Sequence, residues 1–570
     1  MGPRMKRTIN TVGIRGRPRR RALPAVLLVA GALACEAGPP AFDGPARDAG
    51  ESPSSRNAVD GRVGPERGDT VASEVASEDA LARNAAQVLI EVEPVGDGGT
   101  IGEGGTGGTL AGPTEREEPG PRVAREEWGT ARFPYPGEVR ALYLNAWASG
   151  STNRMESLIA LAKRTEINSF VIDIKDASGY VSYRTEVPLA REIGATGEIR
   201  IRDLPGLLAR LEEEGIYPIA RIVIVKDPLL IAVRPDLAVQ DTAGGVWVDS
   251  SNIIWVNPFD RTVWDYHIDL ARELAEMGFP EIQWDYVRFP DAPRADLERA
   301  VFAGSDGRTK AQGIRAFLRY ARAELAEVGV LSTADVFGVT TSSARDVGIG
   351  QVWESFIDVV DAAQPMVYPS HYWQGSFGIQ TPNAYPYEIV HRALRDAVRR
   401  SRAVDGAGVT RPFLQDFTLG APSYGAPEVR AQIEATYDAG IDEWVLWNPG
   451  SRYTEAALEP VGGFEEEPLM RVAGGIHPVS RRQIVIDSVR AARQAADVRA
   501  RAVRDSLNAR PAATVEPVGI PVDTLLVSDD GIPIDSIPPD TLAIDPTPND
   551  LPADTMRASE PDTLGGAGGR

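Results

Sequence analysis

A single cysteine, Cys35, stands in a chain of 570 residues, so neither a disulfide framework nor a thiolate metal site is available. Histidine is almost as scarce. His267, His371, His391 and His477 are scattered, and no HExxH or comparable ligand spacing joins them. A zinc enzyme is therefore not expected, and neither is a polysaccharide deacetylase built on an Asp/His/His metal set. No glycine fingerprint or Walker loop supports nucleotide binding, and no cofactor is expected. Lysine is the next shortage, with 5 residues against 55 arginines. A GC-rich genome produces that bias, so arginine number carries little information and each lysine position carries more. Excess positive charge is lacking too. The net charge of −21 speaks against nucleic acid as a partner.

What is present divides unevenly along the chain. Arg15, Arg17, Arg19, Arg20 and Arg21 precede a short apolar run from Ala22 to Ala34. A basic segment before a run too short to span a membrane predicts a signal peptide over residues 1–34. Ala32-Leu33-Ala34-Cys35 resembles a bacterial lipobox, with Ala32 where leucine is usual. Export is expected, with Cys35 lipidated and the protein anchored in the cell envelope. Plain secretion or a periplasmic location is the alternative. Residues 35–136 are rich in Gly, Pro, Ser, Glu and Asp and predict a disordered linker. Residues 466–510 predict a helical extension dense in Arg and Ala. Residues 511–570 predict a disordered Pro- and Asp-rich tail with repeated Asp-Thr-Leu motifs, as at Asp523, Asp540 and Asp562. No protein partner is identified by either flank.

Between these flanks, residues 137–465 read as one α/β domain. Apolar strands are predicted at 140–147, 169–175, 217–226, 281–289, 330–337, 363–368, 412–417 and 443–447. Amphipathic helices are predicted between them at 155–164, 204–214, 263–277, 311–327, 355–360, 387–400 and 427–439. Eight strands alternating with helices predict a (β/α)8 TIM barrel, with a doubly wound sheet as the alternative.

In a barrel, polar residues at the C-terminal strand ends face the active side. Nearly every predicted strand supplies some. Asp173 and Lys175 end the second strand, Arg221 and Lys226 lie on the third, and Asp285 and Arg288 on the fourth. Asp335 lies on the fifth, Tyr368 and His371 close the sixth, Asp416 the seventh, and Trp447 and Asn448 the eighth. A buried charge is costly unless it is paired or used. Carboxylates on neighbouring strands among Trp, Tyr, Arg and His suit glycoside hydrolysis, which needs one ionised carboxylate and one protonated acid. Nearby cations would keep the first ionised, and apolar burial would keep the second protonated. Two bland alternatives stand beside this. Asp285 could be an ion-pair partner of Arg288 or Arg221, and Asp335 could cap a turn. Trp147 and Tyr372 are further stacking candidates, and Asp346 and Glu354 are reserve acids.

These residues also carry a resemblance. Val171-Ile172-Asp173-Ile174-Lys175-Asp176, Trp284-Asp285-Tyr286-Val287-Arg288-Phe289-Pro290, Ala334-Asp335-Val336-Phe337-Gly338, Pro365-Met366-Val367-Tyr368-Pro369-Ser370-His371 and Leu446-Trp447-Asn448-Pro449 occur in that order. Together they resemble a family of bacterial glycoside hydrolase domains with a barrel fold, distantly related to alpha-amylase-like hydrolases. The resemblance implies that Asp285 is the nucleophile and Asp335 the proton donor. It also departs from the amylase-like pattern, which places Glu on the fifth strand. Asp173, Lys175, Arg221, Arg288, Tyr368, His371, Trp447 and Asn448 are expected to bind substrate. The expected function is an exported hydrolase of a polysaccharide or oligosaccharide, with retention of configuration. A carbohydrate-binding or envelope-scaffold lipoprotein on the same barrel is the alternative.

Overall fold

The computed structural model describes residues 118–508. The signal peptide of 1–34, Cys35, most of the 35–136 linker and the tail from 511 onward lie outside the described residues. Eight parallel strands close into a barrel: β1 (Arg140–Leu144), β2 (Ser169–Lys175), β3 (Tyr217–Val223), β4 (Glu281–Asp285), β5 (Leu331–Phe337), β6 (Ala362–Met366), β7 (Phe413–Gln415) and β8 (Trp444–Trp447). Closure runs through β8 on β1, where Leu446 faces Leu142, and through β6 on β7, where Met366 faces Phe413. Every residue of β2 and β3 is buried, as expected for strands covered on both faces.

The helices between strands include α1 (Thr152–Arg164), α2 (Leu204–Glu214), α3 (Arg261–Met277), α4 (Lys310–Ala326), α5 (Trp353–Phe356), α6 (Pro386–Ser401) and α7 (Ala426–Asp438). Their ends follow local chemistry. Ser151, Asp203 and Asp260 cap α1, α2 and α3 by accepting backbone N–H bonds, and Thr309 with Gln312 closes a capping box on α4.

The N-terminal end of the barrel is sealed by charge as well as by apolar packing. Arg411 donates to Glu281 at 2.6 Å and to Glu443 at 2.8 Å, and Tyr135 donates to Glu443 at 2.7 Å. Phe133 and Tyr135, from the segment before β1, pack beneath the strands.

Several boundaries differ from the sequence reading. The first strand stops at Leu144 because Asn145 turns to cap a short helix, Ala146–Ser149. The fourth stops at Asp285 rather than 289, because Tyr286 adopts φ 53° and ends the extended run. The helix expected at 355–360 is the single turn α5. The extension at 466–510 begins as a hairpin of Leu469–Val472 and Gly475–Pro478. Ala473 and Gly474, with φ of 54° and 79°, make the two-residue turn that matches strand twist. Helix α8 (Arg482–Asn508) follows and is anchored at its start by Arg482 on Asp438 at 2.7 Å. Among the described residues no helix is long and apolar enough to cross a membrane.

Candidate active site

The site is assembled by register. Asp173 on β2, Arg221 on β3 and Gln283 on β4 lie opposite one another, so three polar side chains share one level inside the barrel. Two residues on, alternation brings Asp285 to the same face at the mouth. Arg221 is the hub. Its Nη1 donates to Asp173 Oδ1 at 2.7 Å, and its Nε donates to Asp285 Oδ2 at 2.9 Å. Its Nη2 donates to that same Asp285 oxygen. Asp335 Oδ2 lies 3.9 Å from the same Nε. One guanidinium nitrogen thus stands between the two expected catalytic carboxyls. Tyr143 and Trp447 stack at 3.7 Å between ring centroids, and Arg221 lies over both rings. Tyr143 also donates to Asp173 Oδ2 at 3.0 Å.

The two carboxyls have different surroundings. Asp285 takes charged donors from Arg221 and the N–H of Tyr286. Asp335 takes one neutral bond, from Gln283 Nε2 at 2.8 Å. Asp335 Oδ1 has no protein hydrogen-bond partner among the described residues. Burial, and then the Asp285 charge, push the Asp335 carboxyl well above the ordinary carboxylate range. Burial also raises Asp173, against the pull of Arg221. The arrangement therefore places one carboxyl against a fixed cation and its neighbour against a neutral amide.

A small, narrow pocket opens at this point, lined by Asp285, Tyr286, Arg288, Asp335, Phe337, Gln351 and Met366. Gln351 braces its rim by donating to the Val287 carbonyl at 3.1 Å and accepting from the Phe337 N–H at 2.9 Å. Arg288 is not on the strand. It lies in the loop beyond Asp285, with its guanidinium 4.8 Å from the Trp255 ring, 5.2 Å from Tyr286 and 5.0 Å from Phe337.

Other expected site residues lie elsewhere. Lys175 is a correction. It is 0% exposed and bonded to Asp227 at 2.9 Å and to the Val223 carbonyl at 3.0 Å. A register shift between Asp173 and Lys175 sets Lys175 opposite Ile222, and so removes it from the face that Asp173 and Arg221 share. Asn448 is a second correction. Its amide donates to the Asp416 carbonyl and accepts from the N–H groups of Gly450 and Arg452, which makes it a loop brace. Asp416 spends both oxygens on Thr454, and burial raises its pKa to about 6. Asp346 accepts three backbone N–H bonds, and Glu354 pairs with Arg400. Tyr368 packs edge-on against His371 and Phe417, and His371 Nδ1 lies 3.0 Å from Ser370 Oγ. Trp147 is 49% exposed on the short helix after β1, with Arg200 over its ring. Tyr372 is packed beside Phe377.

Gln283, Tyr143 and Gln351 gain a place that sequence reasoning did not give them. For Gln283 a signal existed, since it precedes Asp285 by two residues and must share its face. Among the described residues no cluster of His, Cys, Asp or Glu has the geometry to hold a metal ion.

The pKa displacement of Asp335 has a stability consequence. A carboxyl whose folded pKa is raised contributes stability that is complete below its unfolded pKa. That contribution is lost as pH rises through the folded pKa. Asp335→Asn removes the titration while keeping the shape. The variant is expected to melt above wild type by a margin that grows with pH from about 4 upward. Paired thermal melts across pH check this; a margin independent of pH would mean that Asp335 is not raised.

A family model described as "Putative glycosyl hydrolase domain" matches residues 141–453. A hypothetical protein from Ruminiclostridium thermocellum is similar at 41% identity, over 34% of this chain and 97% of that one, with a TM-score of 0.31. The PgaB (BpsB) glycoside hydrolase domain from Bordetella bronchiseptica is similar at 13% identity, over 55% of this chain and 95% of that one, with a TM-score of 0.40. The spore cortex-lytic enzyme SleL of Bacillus megaterium is similar at 11% identity, over 56% of this chain and 73% of that one, with a TM-score of 0.35. No curated protein matches the chain.

Proposed function

The chain belongs to this glycosyl hydrolase domain family, and from that premise we propose that it cleaves the O-glycosidic bonds of a polysaccharide or oligosaccharide with Asp285 and Asp335. In this reading the Asp285 carboxylate attacks the anomeric carbon. The bond to the leaving oxygen breaks as Asp335 delivers its proton there. Water then attacks the glycosyl-enzyme ester, with Asp335 taking the proton and Asp285 leaving as carboxylate. The observation that carries the reading is the asymmetry around Arg221: Asp285 is held by the cation, while Asp335, which also lines the pocket, is buried with its Oδ1 lacking a hydrogen-bond partner among the described residues. Tyr143 and Trp447 fix the guanidinium from one side. Export, with lipid attachment at Cys35, rests on the basic and apolar start of the chain.

A second reading, a carbohydrate-binding scaffold, is favoured by one observation. Both Asp285 oxygens are engaged internally, by Arg221 and by the Tyr286 N–H. Leaving-group dependence separates the two. A proton donor is needed for a poor leaving group and dispensable for a good one. Asp335→Asn is expected to lower kcat/KM by about 10²–10⁴-fold on natural linkages and to keep most of it on activated aryl glycosides, where kcat falls instead because hydrolysis of the ester has lost its base. Equal loss on both would remove Asp335 from the acid role, and no cleavage by wild type would favour the scaffold.

A further inference from the structure

In the helix layer outside the barrel, α6 and the first half of α8 leave two adjoining hollows. Arg392 and Arg395 of α6 line both. One hollow continues over Arg399 and Arg402, and the other runs onto Arg490 and Arg493 of α8. All of these arginines except Arg392 are exposed. Apolar side chains lie among them, Phe377 and Val398 in the first hollow and Ile486 and Val489 in the second. Guanidiniums thus gather along one groove in a chain whose net charge is −21.

Acids share this groove, and most are already engaged. Asp438 accepts from Arg482 at 2.7 Å and from Tyr387 at 2.9 Å, and Asp396 pairs with Arg399 at 2.8 Å. Glu388 accepts the Ala473 N–H at 2.6 Å, and burial raises its pKa even with Arg392 and Arg493 within electrostatic reach. Asp497 remains. Among the arginines, Arg392 donates to the Phe377 carbonyl and Arg490 pairs with Asp487 at 3.1 Å. Arg395, Arg402 and Arg493 form no ion pair among the described residues. The groove therefore keeps a surplus of positive charge beside its apolar patches.

We propose that this groove binds the chain's own C-terminal tail, residues 511–570, through its repeated acid-and-leucine motifs. The charges are complementary, since the tail carries 11 Asp and Glu against 2 Arg. The motifs match the groove as well. Val522-Asp523-Thr524-Leu525, Pro539-Asp540-Thr541-Leu542, Ala553-Asp554-Thr555-Met556 and Pro561-Asp562-Thr563-Leu564 each set a carboxylate two residues before Leu or Met. The carboxylate accepts from a guanidinium fork, and Leu or Met covers the apolar patch beside it. The connection is long enough. Helix α8 ends at Asn508 and its groove-lining part at Asp497, so the chain must come back by about 17 Å at the helical rise per residue. The chain from Asn508 to Asp523 reaches up to about 50 Å. One exposed ion pair is worth little, but tethered repeats act at an effective concentration on the order of millimolar, and any that leaves is replaced by another. This docking is independent of the hydrolase reading, and its test needs no sugar.

The experiment is double electron–electron resonance between two spin labels on the full chain. The labels are carried by Ala403→Cys, exposed beside Arg402, and by Ser528→Cys, after the first motif, in a Cys35→Ser background. A narrow distance distribution is expected. It should broaden at least about twofold in Arg395→Glu with Arg493→Glu, in a chain with Asp523, Asp540, Asp554 and Asp562 all changed to Asn, and in high salt. Arg395→Lys with Arg493→Lys keeps the charge and is expected to keep the narrow distribution. Both arginines are exposed, so these changes leave the fold in place, and circular dichroism checks that. A distribution as broad in the starting chain as in the variants overturns the docking. A narrow one that neither set of substitutions changes places the tail elsewhere and overturns the groove. Coupling that vanishes when the labelled chain is diluted with unlabelled chain points to a second copy and overturns the assignment to the chain's own tail.

Discussion

Asp285→Asn is expected to lower kcat/KM by at least about 10³-fold while leaving the fold intact. The loss follows from the role of the residue. A neutral amide can neither form the glycosyl ester nor stabilise the positive charge that develops on the sugar ring. The retention of fold follows from Arg221. Its Nη1 bonds Asp173 Oδ1 at 2.7 Å and Tyr143 holds the other Asp173 oxygen at 3.0 Å, and neither contact involves Asp285. The guanidinium therefore stays paired, and the larger penalty of an unpaired buried charge does not arise. Initial rates with a thermal melt on the same sample check both halves. A collapse of the melt would mean that Asp285 serves mainly as an ion-pair partner.

The largest effect on stability is expected at the opposite end of the barrel. Arg411→Met should cost about 3–5 kcal/mol. Arg411 is 0% exposed and neutralises two buried carboxylates, Glu281 and Glu443. Methionine fills much of the volume but leaves both charges without a cation. Burial already pushes Glu281 above its ordinary range even with Arg411 beside it. Without the guanidinium the buried Glu281 would take up a proton more readily, so the deficit should shrink as pH falls through the carboxylate range. The triple substitution Arg411→Met, Glu281→Gln, Glu443→Gln is expected to recover most of the loss, because no charge then remains buried. Urea unfolding of wild type, Arg411→Met and the triple variant measures this. A small effect of Arg411→Met alone would show that water reaches the network.

Much of this was legible in the sequence because barrel strands are read by burial and alternation. The eight apolar runs and the helices between them were placed within a few residues of the structure. Asp173, Arg221, Asp285 and Asp335 each sit near the end of such a run, and the structure brings the four together. What escaped depends on backbone detail with no sequence signature. The register shift after Asp173 changes which face Lys175 takes, and the pattern Asp-Ile-Lys looks like regular alternation. Nothing in Trp284-Asp285-Tyr286-Val287-Arg288 says that Tyr286 turns to φ 53° and carries Arg288 off the strand. Asn448 looked like a strand-end ligand because its commitment to the Asp416, Gly450 and Arg452 backbones depends on tertiary approach. Gln283 was readable but passed over, as an amide in an apolar strand resembles ordinary filling.

Hydrolysis of a broad panel of bacterial and plant polysaccharides by the full chain tests the central claim most directly, with Asp285→Asn and Asp335→Asn as controls. Sugar release by wild type alone, from at least one glycan, is the expected result. Release that persists undiminished in Asp285→Asn, or no release by folded wild type from any glycan, would contradict it.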